Sequence, residues 1–165
     1  ATDFEISNQF LGVEENDVEW NAVDCLYFGL PETELPSKTP ILHLDGSAEG
    51  PINNLTFIST LCECSPDGMA LASASVIGRQ DLAIDELVES ARKQLVSWFG
   101  ESSKSWKNIR NYRITRAVPS CSFPIDLETK INGIYRCGDY LGLPSIDSAM
   151  RSGRKVAEAI IESSS

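Results

Sequence analysis

The chain is short of several things, and each shortage narrows what it can be. No apolar run approaches the roughly eighteen residues a membrane-crossing helix needs, so no membrane span is expected. Histidine occurs once, at His43, and the five cysteines (Cys25, Cys62, Cys64, Cys121 and Cys137) contain no C-x-x-C. A zinc site of the usual spacings is therefore not supported, and no metal ligands are assigned. No G-x-G-x-x-G follows a candidate strand: neither Gly46 to Gly50 nor Gly138 to Gly142 has the spacing. That excludes a self-contained dinucleotide-binding unit within these residues. The first residues, Ala-Thr-Asp-Phe, carry no Met, no basic stretch and no apolar signal region, so the chain reads as the interior of something longer.

Basic residues are also scarce in one region. Before residue 60 the only one is Lys38, whereas Arg92 to Arg116 holds seven cations against Glu101, within an overall formal charge of −10. The basic stretch reads as a solvated helix face and loop rather than as a surface for an acidic partner. With that acidic balance and no recognised motif, no nucleic-acid partner is expected. What is present is the composition of a soluble globular protein, 42% hydrophobic and 23% charged over 165 residues, enough for one ordinary core. The odd cysteine count favours reduced thiols in an intracellular setting, cytoplasmic or plastid. Cys62 and Cys64, two apart, would share one face of a strand, and reduced thiols are preferred to a vicinal redox pair.

Residues 3 to 12 form a short helix, capped by Asp3 and ended by Gly12. Strands are expected at Ala22 to Phe28, Pro40 to Leu44, Asn54 to Cys62 (buried on both faces) and Met69 to Ile77. The Ser65-Pro-Asp-Gly68 turn joins the last two into a hairpin. The best helix outside the C-terminus is capped by Asp81 or Asp85 and stopped by Gly100. It presents Ile84, Leu87, Val88, Ala91, Leu95, Trp98 and Phe99 on one face, which reads as core. Ile109 to Val118 is an extended segment with Tyr112, Ile114 and Ala117 as candidates for burial. Residues 119 to 132 form an irregular link. Asn54-Leu-Thr56 matches a glycosylation sequon, but its strand context argues against use.

The last thirty residues carry the chemistry. Ile134, Tyr135 and Cys137 read as a short buried strand, Gly138 lets the chain turn, and Asp139 then sits at the strand's carboxyl end. Its carboxylate accepts hydrogen bonds and can hold the hydroxyls of a ribityl or ribose chain. A helix begins near Pro144 or Ser145. Ile146, Ala149, Met150, Gly153, Val156, Ala157, Ile160 and Ile161 recur on it at 3.6-residue spacing, with Ala149, Gly153 and Ala157 as a narrow small-residue strip. Arg151, Arg154, Lys155 and Glu158 fall outside that strip. A helix N-terminus pointing into the crevice beside a carboxylate suits the polar tail of a nucleotide-type cofactor. Ser145 and Ser152 are explained by capping or packing, since no base has a suggestive spacing.

The run Gly138-Asp139, then Pro-Ser-Ile-x-x-Ala-Met-x-Ser-Gly-Arg-x-x-Ala-x-Ala-Ile, resembles the C-terminal end of the flavin-containing amine oxidase superfamily. That superfamily includes monoamine and polyamine oxidases, protoporphyrinogen oxidase and the phytoene desaturases. Weaker similarity covers Gly50-Pro-Ile-Asn-Asn54, Ser65 to Gly68, Leu95 to Gly100 and Trp106 to Pro119. The resemblance implies an α/β fold. A mixed sheet of a substrate-binding subdomain would carry a packed helix, followed by the closing strand and helix of an FAD-binding domain. It implies FAD as cofactor, with Gly138 and Asp139 at the ribityl chain or adjoining phosphate. The helix start Ser145, Ile146, Asp147, Ser148 and Ala149 would aim N–H groups at the flavin and pyrophosphate. Members often carry Gly where Ser148 stands, and Asp147 would repel a pyrophosphate unless it points away.

On this reading residues 1–12 end a segment of the FAD domain, 13–118 belong to the substrate-binding subdomain and 119–165 return to the FAD domain. The expected partners are a missing N-terminal dinucleotide-binding half and a small-molecule substrate. The whole would dehydrogenate an amine or a carbon skeleton, and the fragment alone would be inactive. No lysine near Asn53 to Thr60 suits the flavin-facing position common in amine oxidases, and Lys130 reads as a solvated loop charge, so catalytic residues are unassigned. The competing reading is a non-enzymatic binding or structural module descended from the same fold.

Overall fold

The computed structural model describes residues 4–12, 19–78, 81–120, 130–131 and 133–163. The expected Asp3 cap and most of the 119–132 link lie outside them. The chain divides into two compact units, residues 21–117 and residues 1–20 with 118–165. The fold is mixed α/β, as the resemblance implies.

The first unit is an antiparallel sheet with one helix packed on it. Its strands are β1 (Trp20–Pro31), β2 (Leu42–Leu44), β3 (Ile52–Phe57), β4 (Met69–Ile77) and β5 (Lys107–Pro119), in spatial order β2-β3-β4-β1-β5. The expected β3–β4 hairpin is present, with Leu55 opposite Ala74. Strand β4 alternates Ala70, Ala72, Ala74 and Val76 inward with Leu71, Ser73 and Ser75 outward, and only the first set is buried. Small inward side chains on this central strand leave room for the helix α2 (Ile84–Phe99) to lie close over it. Leu26, Phe28 and Leu30 of β1, Ile52, Leu55 and Phe57 of β3, and Leu87, Ala91 and Leu95 of α2 complete the core. Burying a large apolar side chain there is worth roughly 1.5–3 kcal/mol relative to exposure.

Several expectations change. Helix α2 is preceded by Ala83 with no side-chain cap, and Asp85 lies in its first turn rather than capping it. Gly100 does end it, at φ +86°, a left-handed conformation that a Cβ would strain. Strand β3 stops at Phe57, gives way to a 3₁₀ turn at Ile58–Thr60, and buries one face instead of two, with its outward Asn54 and Thr56 half-buried. Tyr112 and Ile114 are exposed and Ala117 is half-buried. They belong to β5, an edge strand, whose residues have a neighbour on one side only.

Polar contacts fix this unit where the apolar core ends. Asp24, at 0% exposure on β1, accepts from Arg113 Nε of β5 at 2.9 Å, and Arg113 also donates to the Leu82 carbonyl. Gln94 of α2 acts like a strand partner to Ile52, accepting from its N–H at 2.7 Å and donating to its carbonyl at 3.1 Å. Trp106 is buried against Phe57 and Phe99, and its indole N–H donates to Glu34 at 2.6 Å.

The second unit contains α1 (Phe4–Leu11), a two-residue hairpin of β6 (Lys130–Ile131) and β7 (Ile134–Tyr135), a 3₁₀ turn at Asp139–Leu141 and α3 (Ile146–Ser163). Helix α1 ends at Gly12, as expected. The expected buried strand at Ile134 to Cys137 is instead this short hairpin, with Ile134 at 47% exposure and Cys137 exposed. Among the described residues no sheet flanks β7 beyond β6, so Ile134 stays exposed and Tyr135 is only half-buried.

Candidate functional site

The site expected at the C-terminal end is a turn stitched to a helix. Arg136 is buried and donates to Asn8 of α1 at 3.4 Å. Tyr140 packs edge-on against Phe4, ring centroids 4.9 Å apart, and its hydroxyl donates to the Cys137 carbonyl. Gly138 lies against that ring: a Cβ there would come within 2.3 Å of the Tyr140 ring, so only glycine permits this approach. The Gly138 N–H donates to Ser152 Oγ at 2.9 Å. The Ser152 hydroxyl has the carbonyls of Gly138 and Ala149 within reach as acceptors, at 3.0 and 2.9 Å. Ser152 thereby ties the turn to the second turn of α3, a packing role as the sequence suggests.

The start of α3 is capped by Ser145. Its Oγ accepts from the Ser148 N–H at 3.1 Å, and its carbonyl accepts from the Ala149 N–H. Among the described residues nothing engages the N–H groups of Ile146 and Asp147, the remaining donors of the first turn. Asp147 points into solvent, where Arg151 approaches its carboxylate at 3.8 Å. Ser148 and Ala149 are half-buried, and Ser148 Oγ sits 3.3 Å from where a Cβ on Gly142 would lie. Asp139 is half-buried just before this helix, and no described residue bonds its carboxylate.

The apolar stripe of α3 is only partly used. Ala149, Gly153 and Val156 are half-buried, whereas Ile146 (83% exposed), Met150 (71%), Ala157, Ile160 and Ile161 face outward. The helix packs through Ser152 onto the turn, which rotates the covered strip away from the isoleucines. Arg151, Arg154, Lys155 and Glu158 are exposed as expected. Lys130 lies over the Tyr135 ring at 5.0 Å. The Tyr135 phenol is held below its usual pKa by Ser163 first and Lys130 second.

A second surface was not singled out in the sequence: the outward face of the sheet. Strand register aligns Leu42, Thr56, Ser73 and Tyr27 in one transverse row and Leu44, Asn54, Ser75 and Cys25 in the next. Tyr112 of β5 stands edge-on to Tyr27 at 5.9 Å. The face is lined by hydroxyls, an amide and a thiol, with apolar groups at both edges. Burial, and secondarily the Asp24 charge, push the Cys25 thiol up, so it stays protonated. The signal was present in the Ala/Ser alternation of β4, which puts its serines opposite the core. Among the described residues no cluster of His, Cys, Asp and Glu could hold a metal, and no helix is long and apolar enough to cross a membrane.

Residues 16–161 match the model of the flavin-containing amine oxidoreductase family. The chain belongs to that family. Its fold is similar to a solved protein from Pyrococcus furiosus, with 14% identity and TM-score 0.57, over 95% of this chain and 35% of that one. A reduced UDP-galactopyranose mutase aligns at 13% identity and TM-score 0.49, over 63% of this chain and 23% of that one. The chain thus spans about a third or less of the length of either structure. No curated protein matches it in sequence.

Proposed function

We propose that the chain is the C-terminal part of an FAD-dependent oxidoreductase that dehydrogenates an amine or a carbon skeleton. The unit of residues 1–20 and 118–165 then belongs to the FAD domain, and the unit of residues 21–117 to the substrate-binding subdomain. An N-terminal dinucleotide-binding half supplies the phosphate loop that these residues lack. One observation carries the reading: the half-buried Asp139 carboxylate has no partner among the described residues, and it stands just before a helix whose Ile146 and Asp147 N–H groups are also unengaged.

That donor and acceptor set fits the cofactor's polar tail. Asp139 accepts from ribityl hydroxyls, and the first turn from Ser145 to Ala149 offers N–H groups and the positive end of its dipole to an anion. Gly138 keeps Asp139 in place through the Tyr140 and Ser152 contacts. Asp147, turned toward Arg151, does not oppose a phosphate at the helix end. Bound flavin supplies two-electron oxidation, and the chain's residues supply binding and orientation. The outward sheet rows fit a small-molecule substrate, with Thr56, Ser73, Tyr27 and Asn54 as neutral hydrogen-bonding groups. Because no ionised base stands in those rows, removal of hydrogen from a carbon skeleton suits them as well as amine oxidation does.

The same neutrality supports a second reading, a binding module that has kept the fold without the chemistry. Asp139→Ala in the full-length protein separates the two. The flavoenzyme reading expects flavin content to fall at least about tenfold, the equivalent of roughly 1.4 kcal/mol for lost charged hydrogen bonds. Unchanged flavin content would sink the assigned role, and a colourless, folded full-length protein would favour the module.

A further inference from the structure

The loop between β3 and β4 holds two exposed thiols, Cys62 and Cys64, in an open groove of about 560 Å³. The loop is not slack. Ser59 Oγ accepts from the Leu71 N–H of β4 at 2.8 Å and lies 2.6 Å from Ser65 Oγ. Both hydroxyls approach Cys64 Sγ, at 3.8 and 3.9 Å. The two serines have two hydroxyl protons between them. One spans the Ser59–Ser65 contact, so the other is free to point at the Cys64 sulfur and hold it in place. Cys62 Sγ donates instead to the Ile58 carbonyl at 3.8 Å. Hydrogen bonding with Cys64, then burial, then the Cys64 charge hold the Cys62 thiol above its ordinary pKa.

We propose that Cys62 and Cys64 are a vicinal dithiol modification site that small neutral or cationic disulfides oxidise to an intraloop disulfide, with Cys64 attacking and Cys62 resolving. The Cys64 thiolate attacks one sulfur of the small disulfide, forming a Cys64 mixed disulfide and releasing one thiolate, which takes up a proton. The Cys62 thiol, on losing its proton, then attacks the Cys64 sulfur, closes the Cys62–Cys64 bond and releases the second small thiol. Two electrons pass from the protein dithiol to the small disulfide, and its two halves leave as thiols with the two protons. Ring closure needs Cα atoms within about 6.8 Å, which a fully extended two-residue step of about 7 Å would miss. No strand holds residues 61 to 68 extended, and the Cys62 and Cys64 side chains already interact, so the step is free to shorten.

The groove also selects the oxidant. Glu32, Glu63 and Asp67 line it beside the thiols, with no lysine or arginine among the described lining residues. These exposed carboxylates repel an anionic disulfide such as oxidised glutathione and attract a cationic one such as cystamine, within a screening length of about 10 Å at 0.1 M salt.

The test is direct because cleavage after Lys38 and Arg79 releases a peptide, residues 39–79, whose only cysteines are Cys62 and Cys64. The folded chain is exposed to cystamine or oxidised glutathione, alkylated and mapped by mass spectrometry. The expected product is this peptide two hydrogens lighter, with both alkylation sites lost. Cys62→Ser should accumulate a mixed disulfide at Cys64 several-fold faster than Cys64→Ser forms one at Cys62, because the Ser59 and Ser65 hydroxyls approach only the Cys64 sulfur. Cystamine should outpace oxidised glutathione, with the ratio shrinking as salt rises. Two mixed adducts without closure, pairing of the loop with Cys25, Cys121 or Cys137, or equal rates in the two serine variants would overturn the assignment. Equal rates for the two oxidants at low salt would overturn the role of the carboxylates. Both thiols are exposed and at the end of a side chain, so serine preserves the fold, and the unsubstituted chain gives the closure result by itself.

Discussion

The two units use polar contacts in opposite ways. In residues 21–117 an apolar core is already complete, and the buried polar groups, Asp24 with Arg113 and Gln94 with Ile52, fix register at its margins. Among the described residues of 1–20 and 118–165 the apolar core is small. Phe4, Leu11 and Tyr140 are buried, while Ile146, Met150 and Ile161 of α3 are exposed. There the geometry is held by single hydroxyl and ring contacts, Ser152 on Gly138 and Phe4 on Tyr140. A unit with its own core tolerates loss of a marginal contact. A unit whose apolar helix face is uncovered depends on each contact it has. The difference matches the proposal that α3 is one wall of a larger domain.

The comparison breaks first at the ion pair of the sheet unit. Arg113→Ala leaves the Asp24 carboxylate buried and unpaired. Because 32% of the Arg113 side chain reaches solvent, a loss at the lower end of about 3–5 kcal/mol is expected in chemical denaturation. A loss below about 1 kcal/mol would mean that water already solvates Asp24. Leu95→Ala, at the centre of the helix–sheet contact, should cost about 2–5 kcal/mol and lower the main thermal transition.

In the second unit Ser152→Ala should cost about 1 kcal/mol, because it strands the half-buried Gly138 N–H. Its signature should be faster hydrogen exchange at residues 136–153, with the sheet amides unchanged. If sheet amides accelerate equally, the two units do not open separately.

The smallest effect belongs to His43. Its ring is wedged edge-on between Phe57 and Phe99, its Nε2 has no partner among the described residues, and burial lowers its pKa. A base whose folded pKa is depressed contributes stability that is present above its unfolded pKa of about 6.5 and is lost as pH falls through the folded value. Stability should therefore decline on acidification below about pH 6.5, and His43→Phe should flatten that decline. A decline of the same slope in the variant would assign it to other groups.

Much of this was legible locally. The face of α2, its stop at Gly100, the Ser65 to Gly68 turn and the Ser145 cap follow from residue type and spacing, because each involves neighbours within a turn or two. The Gly138-Asp139 step before a capped helix was legible for the same reason, and so was the family. Burial on β5 and α3 was not. Tyr112 and Ile114 have the pattern of a covered strand but lie at an edge, and Ile146 and Met150 share a stripe with Ala149 yet face outward. Apolar spacing says which residues share a face, not whether another layer meets it. The outward rows of Thr56, Ser73 and Tyr27 went unnoticed because they come from three strands.

By itself, then, the sequence determined most of the elements, the stops at Gly12 and Gly100, the placement of Asp139 before a helix N-terminus and membership in the flavin-containing amine oxidoreductase family. Those depend on backbone sterics, capping and short-range periodicity, which act over a few residues. Tertiary structure alone decided that Asp24 meets Arg113 across 89 positions, that Trp106 completes the core and that Ser59 and Ser65 converge on Cys64. Each is a close contact whose existence depends on how strands and turns are brought together, and no local pattern encodes that.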